Sequence, residues 1–194
     1  MCGRYALDAD IDLLIERYKA IIAEREISTK KEIFPTDTQP IIIGDGERRL
    51  ELAKWGFLPA YAKRPLINAR GETAHEKPTF RKAFISGRCL IPATAFFEWE
   101  EIDGKKYKRK IKVDGEDIFS MAGLVDEFTD KEGNRYKAYT ILTIDANQQM
   151  ARIHDRMPVI VPKGDEDKWL DPQQNDLEML KKFIVSSPLH LIIE

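Results

Sequence analysis

A cysteine at position 2 can become a reagent unlike any internal cysteine. Once Met1 is removed, Cys2 carries a free α-amine and a thiol two carbons apart, a 1,2-aminothiol. The amine condenses with an aldehyde to an imine, and the neighbouring thiol closes onto the imine carbon as a five-membered thiazolidine. Reference pKa values of about 7.7 to 8.0 for an α-amine and about 8.5 for a thiol leave a useful fraction of neutral amine near neutral pH. With Met1 retained, the nitrogen is an amide whose lone pair is delocalised, and neither product forms. Taken alone, a cysteine at this position is weak evidence, since most such cysteines have no special role.

Four further groups of residues bear on chemistry. Glu98 stands between Phe97 and Trp99, where strand alternation would put it towards solvent. If it is buried instead, its carboxyl shifts towards neutrality and suits proton transfer. His154 precedes the charged pair Asp155-Arg156 and reads equally as a structural or a proton-transferring histidine. Asn68, before Ala69-Arg70, reads as a turn or cap residue. Arg4, Arg70, Arg81 and Arg156 are candidates for phosphate contact, since guanidinium pairs bidentately with phosphate, and Trp55 or Phe57 for base stacking, against core packing for at least one of them. Cys89 in an apolar run reads as a small buried hydrophobe. His75 and His190 lack partners at metal-ligand spacing, so neither a metal nor another cofactor is expected.

Positioning such residues requires a scaffold of strands. Isoleucines, leucines and Tyr18 at steps of three and four mark an amphipathic helix over 8–23. Strands are expected at 40–43 and 50–55 around a turn at 44–46, then at 88–91, 95–100, 106–113, 118–128 and 135–144. Asp103-Gly104, Asp114-Gly115 and Glu132-Gly133-Asn134 supply hairpin turns. The stretch 55–84 reads as long and irregular, 157–161 as one strand, 176–184 as a helix and 189–193 as a closing strand. The whole chain, 1–194, therefore reads as a single α+β domain, a mainly antiparallel, barrel-like sheet with flanking helices. The basic run 105–112 fits a charged edge strand first and a nucleic-acid contact second.

Composition narrows the class. Hydrophobic residues form 43% and charged residues 33% of 194 residues, too apolar for disorder and without a membrane-length apolar run. With no signal-peptide pattern and two cysteines, a cytoplasmic protein with free thiols is expected, and a monomer. The net charge of −2 gives no general attraction for nucleic acid, so DNA contact must be local.

Met1-Cys2-Gly3 also opens glutamine amidotransferases with an N-terminal cysteine nucleophile, but a chain of 194 residues has no room for their ammonia-using domain. From Met1 to about Leu170 the sequence resembles the SRAP family, the SOS response-associated peptidases, whose members crosslink to abasic sites in single-stranded DNA. The matching segments are MCGRY, WGFLP, INARGET, PTFRKAF, RCLIPATAFFEW, MAGLVDEF, TILTIDAN and IHDRMPVIV, in the family's order. Departures are Thr94, Ala95 and Phe96 before Phe97-Glu98-Trp99, and Tyr61 where tryptophan is frequent.

The resemblance implies Cys2 as the crosslinking residue, Asn68 as the group that orients it, Glu98 as acid/base and His154 as proton donor or acceptor. These four are expected to converge. It also favours Arg4 and Arg70 as phosphate contacts, then Arg156, then Arg81. The implied activity is covalent capture of the ring-opened abasic aldehyde as a thiazolidine, with weak strand-cleaving lyase and self-processing peptidase activities. Two other readings remain open: an N-terminal-cysteine amidohydrolase or peptidase, and a non-covalent reader of modified bases.

Overall fold

The computed structural model describes residues 2–22, 27–44, 46–184 and 189–194. The fate of Met1, the helix end at Ala23 and the centre of the turn at Asp45 lie outside the described residues. In chain order the elements are β1 (Arg4–Leu7), α1 (Ile11–Tyr18), β2 (Ile21–Ile22), β3 (Lys30–Ile33), β4 (Thr38–Gly44), β5 (Arg48–Trp55), β6 (Asn68–Arg70), α2 (Gly71–Ala74), α3 (Pro78–Ser86), β7 (Arg88–Ala93), β8 (Ala95–Ile102), β9 (Lys105–Val113), β10 (Phe119–Thr129), β11 (Arg135–Asp145), β12 (Arg156–Pro158), β13 (Ile160–Val161), α4 (Glu166–Leu170), α5 (Leu177–Lys181) and β14 (Leu191–Ile193).

Hairpin chemistry organises the middle of the chain. Asp103 and Gly104 both take positive φ, 50° and 74°, the primed-turn geometry that matches strand twist, and β8 and β9 pair from Ile102↔Lys105 onwards. Antiparallel pairs β4–β5, β4–β7, β7–β10 and β10–β11 follow, and a parallel pair between β5 and β11 joins the ends of this series. The result is a closed barrel of five strands, as the alternating hairpins suggested, with the closing pair parallel (Ala138↔Lys54, Tyr139↔Trp55). A second sheet, ordered β14-β9-β8-β1-β3, packs beside it.

The barrel interior is aromatic. Trp55 stacks on Tyr139 at 6.3 Å and meets Tyr5 edge-on at 5.2 Å, while the Tyr5 and Tyr139 hydroxyls share a 2.6 Å hydrogen bond. Gly56 lets the chain leave β5 sharply: its φ is +119°, and a Cβ there would sit 2.6 Å from Pro65 Cβ.

Several expectations change in detail. The helix over 8–23 is only α1, because Lys19 turns left-handed (φ 50°) and Ile21–Ile22 pair in parallel with β5. The stretch 55–84 is not irregular throughout: it holds β6, paired to β11, and the helices α2 and α3, the last begun by Pro78 at its first position. The expected strand 157–161 divides into β12 and β13, since the chain changes partner from β11 to β10 as those two strands splay. The helix over 176–184 shortens to α5, capped by Asp176. The basic strand β9 is not a free edge along its whole length, because β14 pairs with Ile111, Lys112 and Val113. Among the described residues no helix is long and apolar enough to cross a membrane.

Candidate active site around Cys2

Cys2 precedes β1 at the seam between the two sheets. Strand β1 belongs to the second sheet through β8 (Arg4↔Phe97, Tyr5↔Phe96), whereas Asn68 lies on β6, anchored to the barrel by Ile141 of β11. The Asn68 Nδ2 donates to the Cys2 carbonyl at 3.0 Å and ties the two sheets together at this point. The Cys2 side chain is fully buried, with Sγ 3.5 Å from the Arg4 carbonyl. Asn68 Oδ1 is buried and accepts no hydrogen bond among the described residues, leaving one acceptor beside the Cys2 backbone.

Glu98 is the informative reversal. Alternation along β8 holds, but the outward face is the aromatic one: Ala95 and Phe97 pack with Ala6 and Trp99 in a separate small cluster. Phe96 points into the main core, and Glu98, two residues on, shares its side of the strand at 3% exposure. Burial is therefore what the strand pairing decides. The Cys2 thiol is pushed up to about 12, first by desolvation and then by the charge of Glu98, against a lowering contribution from the Arg4 carbonyl contact. At neutral pH the sulfur is a thiol within the electrostatic reach of Glu98.

His154 lies in the connection from β11 to β12. Its Nδ1 is 3.0 Å from the Arg156 amide and 2.8 Å from Asp155 Oδ1, contacts that require opposite protonation of one nitrogen. The amide is fixed by β12 and the Asp155 side chain is 85% exposed, so Nδ1 is assigned as the acceptor and the proton to Nε2. Cys2, Asn68 and Glu98 thus form one group by direct contact or charge, and His154 is oriented by the backbone of Arg156.

The candidate DNA contacts divide. Arg70 and Arg81 are exposed and make no ion pair among the described residues. Arg4 is half-buried, pairs with Glu32 at 2.8 Å and lies 3.8 Å from the Phe34 ring. Arg156 is 7% exposed, held by both Glu72 carboxylate oxygens (2.7 and 2.8 Å), Asp145 (2.5 Å) and the Thr143 carbonyl (2.6 Å). It clamps the start of α2 to β11 instead of presenting a free cation. Trp55 requires correction: it is fully buried, its Nε1 donates to the Ile67 carbonyl at 3.0 Å, and Tyr5 and Tyr139 take its ring, so no base can stack on it. Phe57 is likewise buried against Phe80 and Phe128. The sequence reading missed Glu72, whose one signal was its place in the INARGET segment beside Arg70.

The model of the family described as SOS response associated peptidase (SRAP) matches residues 1–191. The abasic site processing protein YoqW of Bacillus subtilis (strain 168) is 38% identical over 193 residues, covering 95% of this chain and 86% of that protein. The abasic site processing protein YedK of Escherichia coli (strain K12) is 30% identical over 186 residues, covering 88% and 79%. Among solved structures, an X-ray structure of a protein from Bacteroides thetaiotaomicron superposes with a TM-score of 0.86 at 25% identity, covering 99% of this chain and 91% of that one.

Proposed function

Because the chain belongs to the SOS response-associated peptidase family, we propose that it captures abasic sites in single-stranded DNA as a covalent thiazolidine at Cys2 after Met1 is removed. The observation that carries this reading is the Cys2 carbonyl held by Asn68, with a buried Glu98 whose charge acts on the thiol. Relatives such as YoqW and YedK are named for processing abasic sites, which supplies the substrate class.

The steps follow from protonation. Glu98 or His154 assists opening of the deoxyribose hemiacetal to the aldehyde. The neutral Cys2 amine adds to C1′, and loss of water leaves an imine. The sulfur then bonds to that carbon as the carbon–nitrogen π bond closes onto nitrogen. The thiol proton passes to nitrogen, and Glu98, whose charge acts on the thiol, is the proposed carrier. A thiol raised to about 12 is a poor first nucleophile, which suits an order in which the amine reacts first. The imine also acidifies C2′–H, so β-elimination and strand cleavage compete whenever ring closure is slow. Arg70 and Arg81 supply phosphate contacts that position the strand without reading it. Removal of Met1 by the protein itself or by an aminopeptidase satisfies this chemistry equally.

The test is incubation of the processed protein with an abasic single-stranded oligonucleotide, followed by denaturing electrophoresis and intact mass. An adduct heavier than the reactants' sum minus one water is not expected; one at that mass supports the reading. A stable adduct formed by protein with an uncleavable N-terminal extension would refute the α-amine mechanism. Peptide or glutamine hydrolysis without an adduct points to an amidohydrolase, and binding unaffected by Cys2→Ala without an adduct points to a non-covalent reader.

A further inference from the structure

The outward face of the second sheet carries a pattern that the chemistry at Cys2 does not use. In β9, Lys106, Lys108, Lys110 and Lys112 occupy every second position and so share one face, successive residues about 6.8 Å apart along the strand. Register interleaves aromatic residues: Trp99 stands opposite Lys108 and Phe97 opposite Lys110, with Lys108 Nζ 4.2 Å from the Phe97 ring centroid. Phe97 is in turn opposite Arg4. Two strand spacings of about 4.8 Å therefore put Arg4, two residues from Cys2, about 10 Å from the backbone of Lys110.

Protection of a strand edge accounts for only part of this run. Lys110 exchanges backbone hydrogen bonds with Glu194 at 3.0 and 2.9 Å, and Lys112 is paired with Ile192 of β14. At Lys110 and Lys112 β9 lies between two strands, where no edge needs blocking. Mutual neutralisation is also incomplete. Lys108 shares Glu32 with Arg4, and Lys112 pairs with Glu194 at 2.6 Å. Lys106 stands opposite Glu101 and Lys110 acts on the Glu194 charge, but neither lysine makes an ion pair among the described residues. Arg4 and the four lysines thus outnumber the three glutamates beside them, Glu32, Glu101 and Glu194, on a chain whose net charge is −2.

Phe97 is buried beneath Lys108, so of the two rings only the partly exposed Trp99 can meet a base, and it is the row of cations that fits the phosphates of a single strand, without any sequence being read. We propose that this face is a second, sequence-independent contact surface for single-stranded DNA, carrying the strand away from Cys2 past Arg4 and Phe97 onto the β9 lysines. The proposal rests on single-stranded DNA being the substrate at Cys2.

The test uses labelled oligothymidylates without abasic sites, from about 5 to about 30 nucleotides, a range that brackets common single-strand site sizes. Fluorescence anisotropy across a salt series compares the wild type with Lys106→Ala/Lys110→Ala. On long strands the slope of log affinity against log salt should fall by roughly 1.4 in the double variant, twice the single-strand value per phosphate contact. On the shortest strands it should not change, and Lys106→Arg/Lys110→Arg should keep the wild-type slope. An unchanged slope on long strands overturns the proposal, as does an equal loss on the shortest strands. Thermal melting of the variant checks that it is folded. Adduct formation on a short abasic strand, read on both proteins, tests the Cys2 chemistry separately: its absence from both defeats that reading, whereas the length-dependent slope alone decides the lysine surface.

Discussion

Replacing Glu98 by Gln separates the electrostatic effect of this side chain on Cys2 from its proposed part in proton transfer. The Cys2 thiol stands at about 12 against an ordinary 9.0, first through burial and second through the charge of Glu98. Near pH 8 an ordinary thiol is ionised in about one molecule in ten and one near 12 in about one in ten thousand, so native Cys2 should alkylate roughly a thousandfold more slowly than the unfolded chain. The amide keeps the size of the side chain and removes the charge, leaving desolvation in place. Alkylation should therefore rise by roughly tenfold, well short of the thousandfold that full exposure gives. The assay is iodoacetamide labelling at Cys2 followed by peptide mass, on chain that retains Met1, where only the thiol can react. Adduct formation by the processed variant should move the opposite way and slow by roughly 10²- to 10⁴-fold, the usual worth of a positioned acid or base. Unchanged or slower alkylation would show that the Glu98 charge does not act on the sulfur, and an adduct formed at the wild-type rate would remove Glu98 from proton transfer.

Alkali should unfold the protein progressively. Cys2, Cys89, Tyr5, Tyr18 and Tyr139 are all held up chiefly by burial, so the unfolded chain releases these protons first. Stability is whole below about pH 9 and lost as pH rises beyond it, and ultraviolet difference absorbance should show these tyrosines ionising only with unfolding. Asn68→Ala should cost about 1 kcal/mol by denaturant titration, through the lost bond to the Cys2 carbonyl, and should slow adduct formation. Glu166→Ala should cost about 1–3 kcal/mol, because it removes the buried carboxylate that Arg17 and Arg48 share while leaving Glu116 to Arg17 and Asp167 to Arg48; adduct formation at a temperature where the variant is folded should be unchanged. Arg70→Ala should lower the salt slope of single-strand binding by roughly 0.7, and an unchanged slope would show that Arg70 meets no phosphate.

Local rules made much of this protein legible from its residues. Asp103-Gly104 and the alternating runs around it specify a hairpin because primed turns and two-residue periodicity act within a few residues of chain. The aminothiol chemistry of Cys2 is likewise a property of its position and needs no fold to be recognised. What tertiary structure decided was which side of each strand faces inward and which distant groups meet. Alternation at 95–99 argued for Glu98 towards solvent; pairing of β1 with β8 at the barrel turned it inward, where its charge reaches a thiol 96 positions earlier. For Trp55 and Phe57 the sequence favoured the core for at least one without saying which; the parallel closure of β5 on β11 sealed Trp55 between Tyr5 and Tyr139. Arg156 carried the signature of a phosphate ligand, yet its partners Glu72, Asp145 and Thr143 lie up to 84 positions away and are supplied only by the pairing of β6 and β12 with β11. Side-chain type is written in the sequence, whereas burial and partnership are sums over contacts between segments, fixed only when the barrel closes.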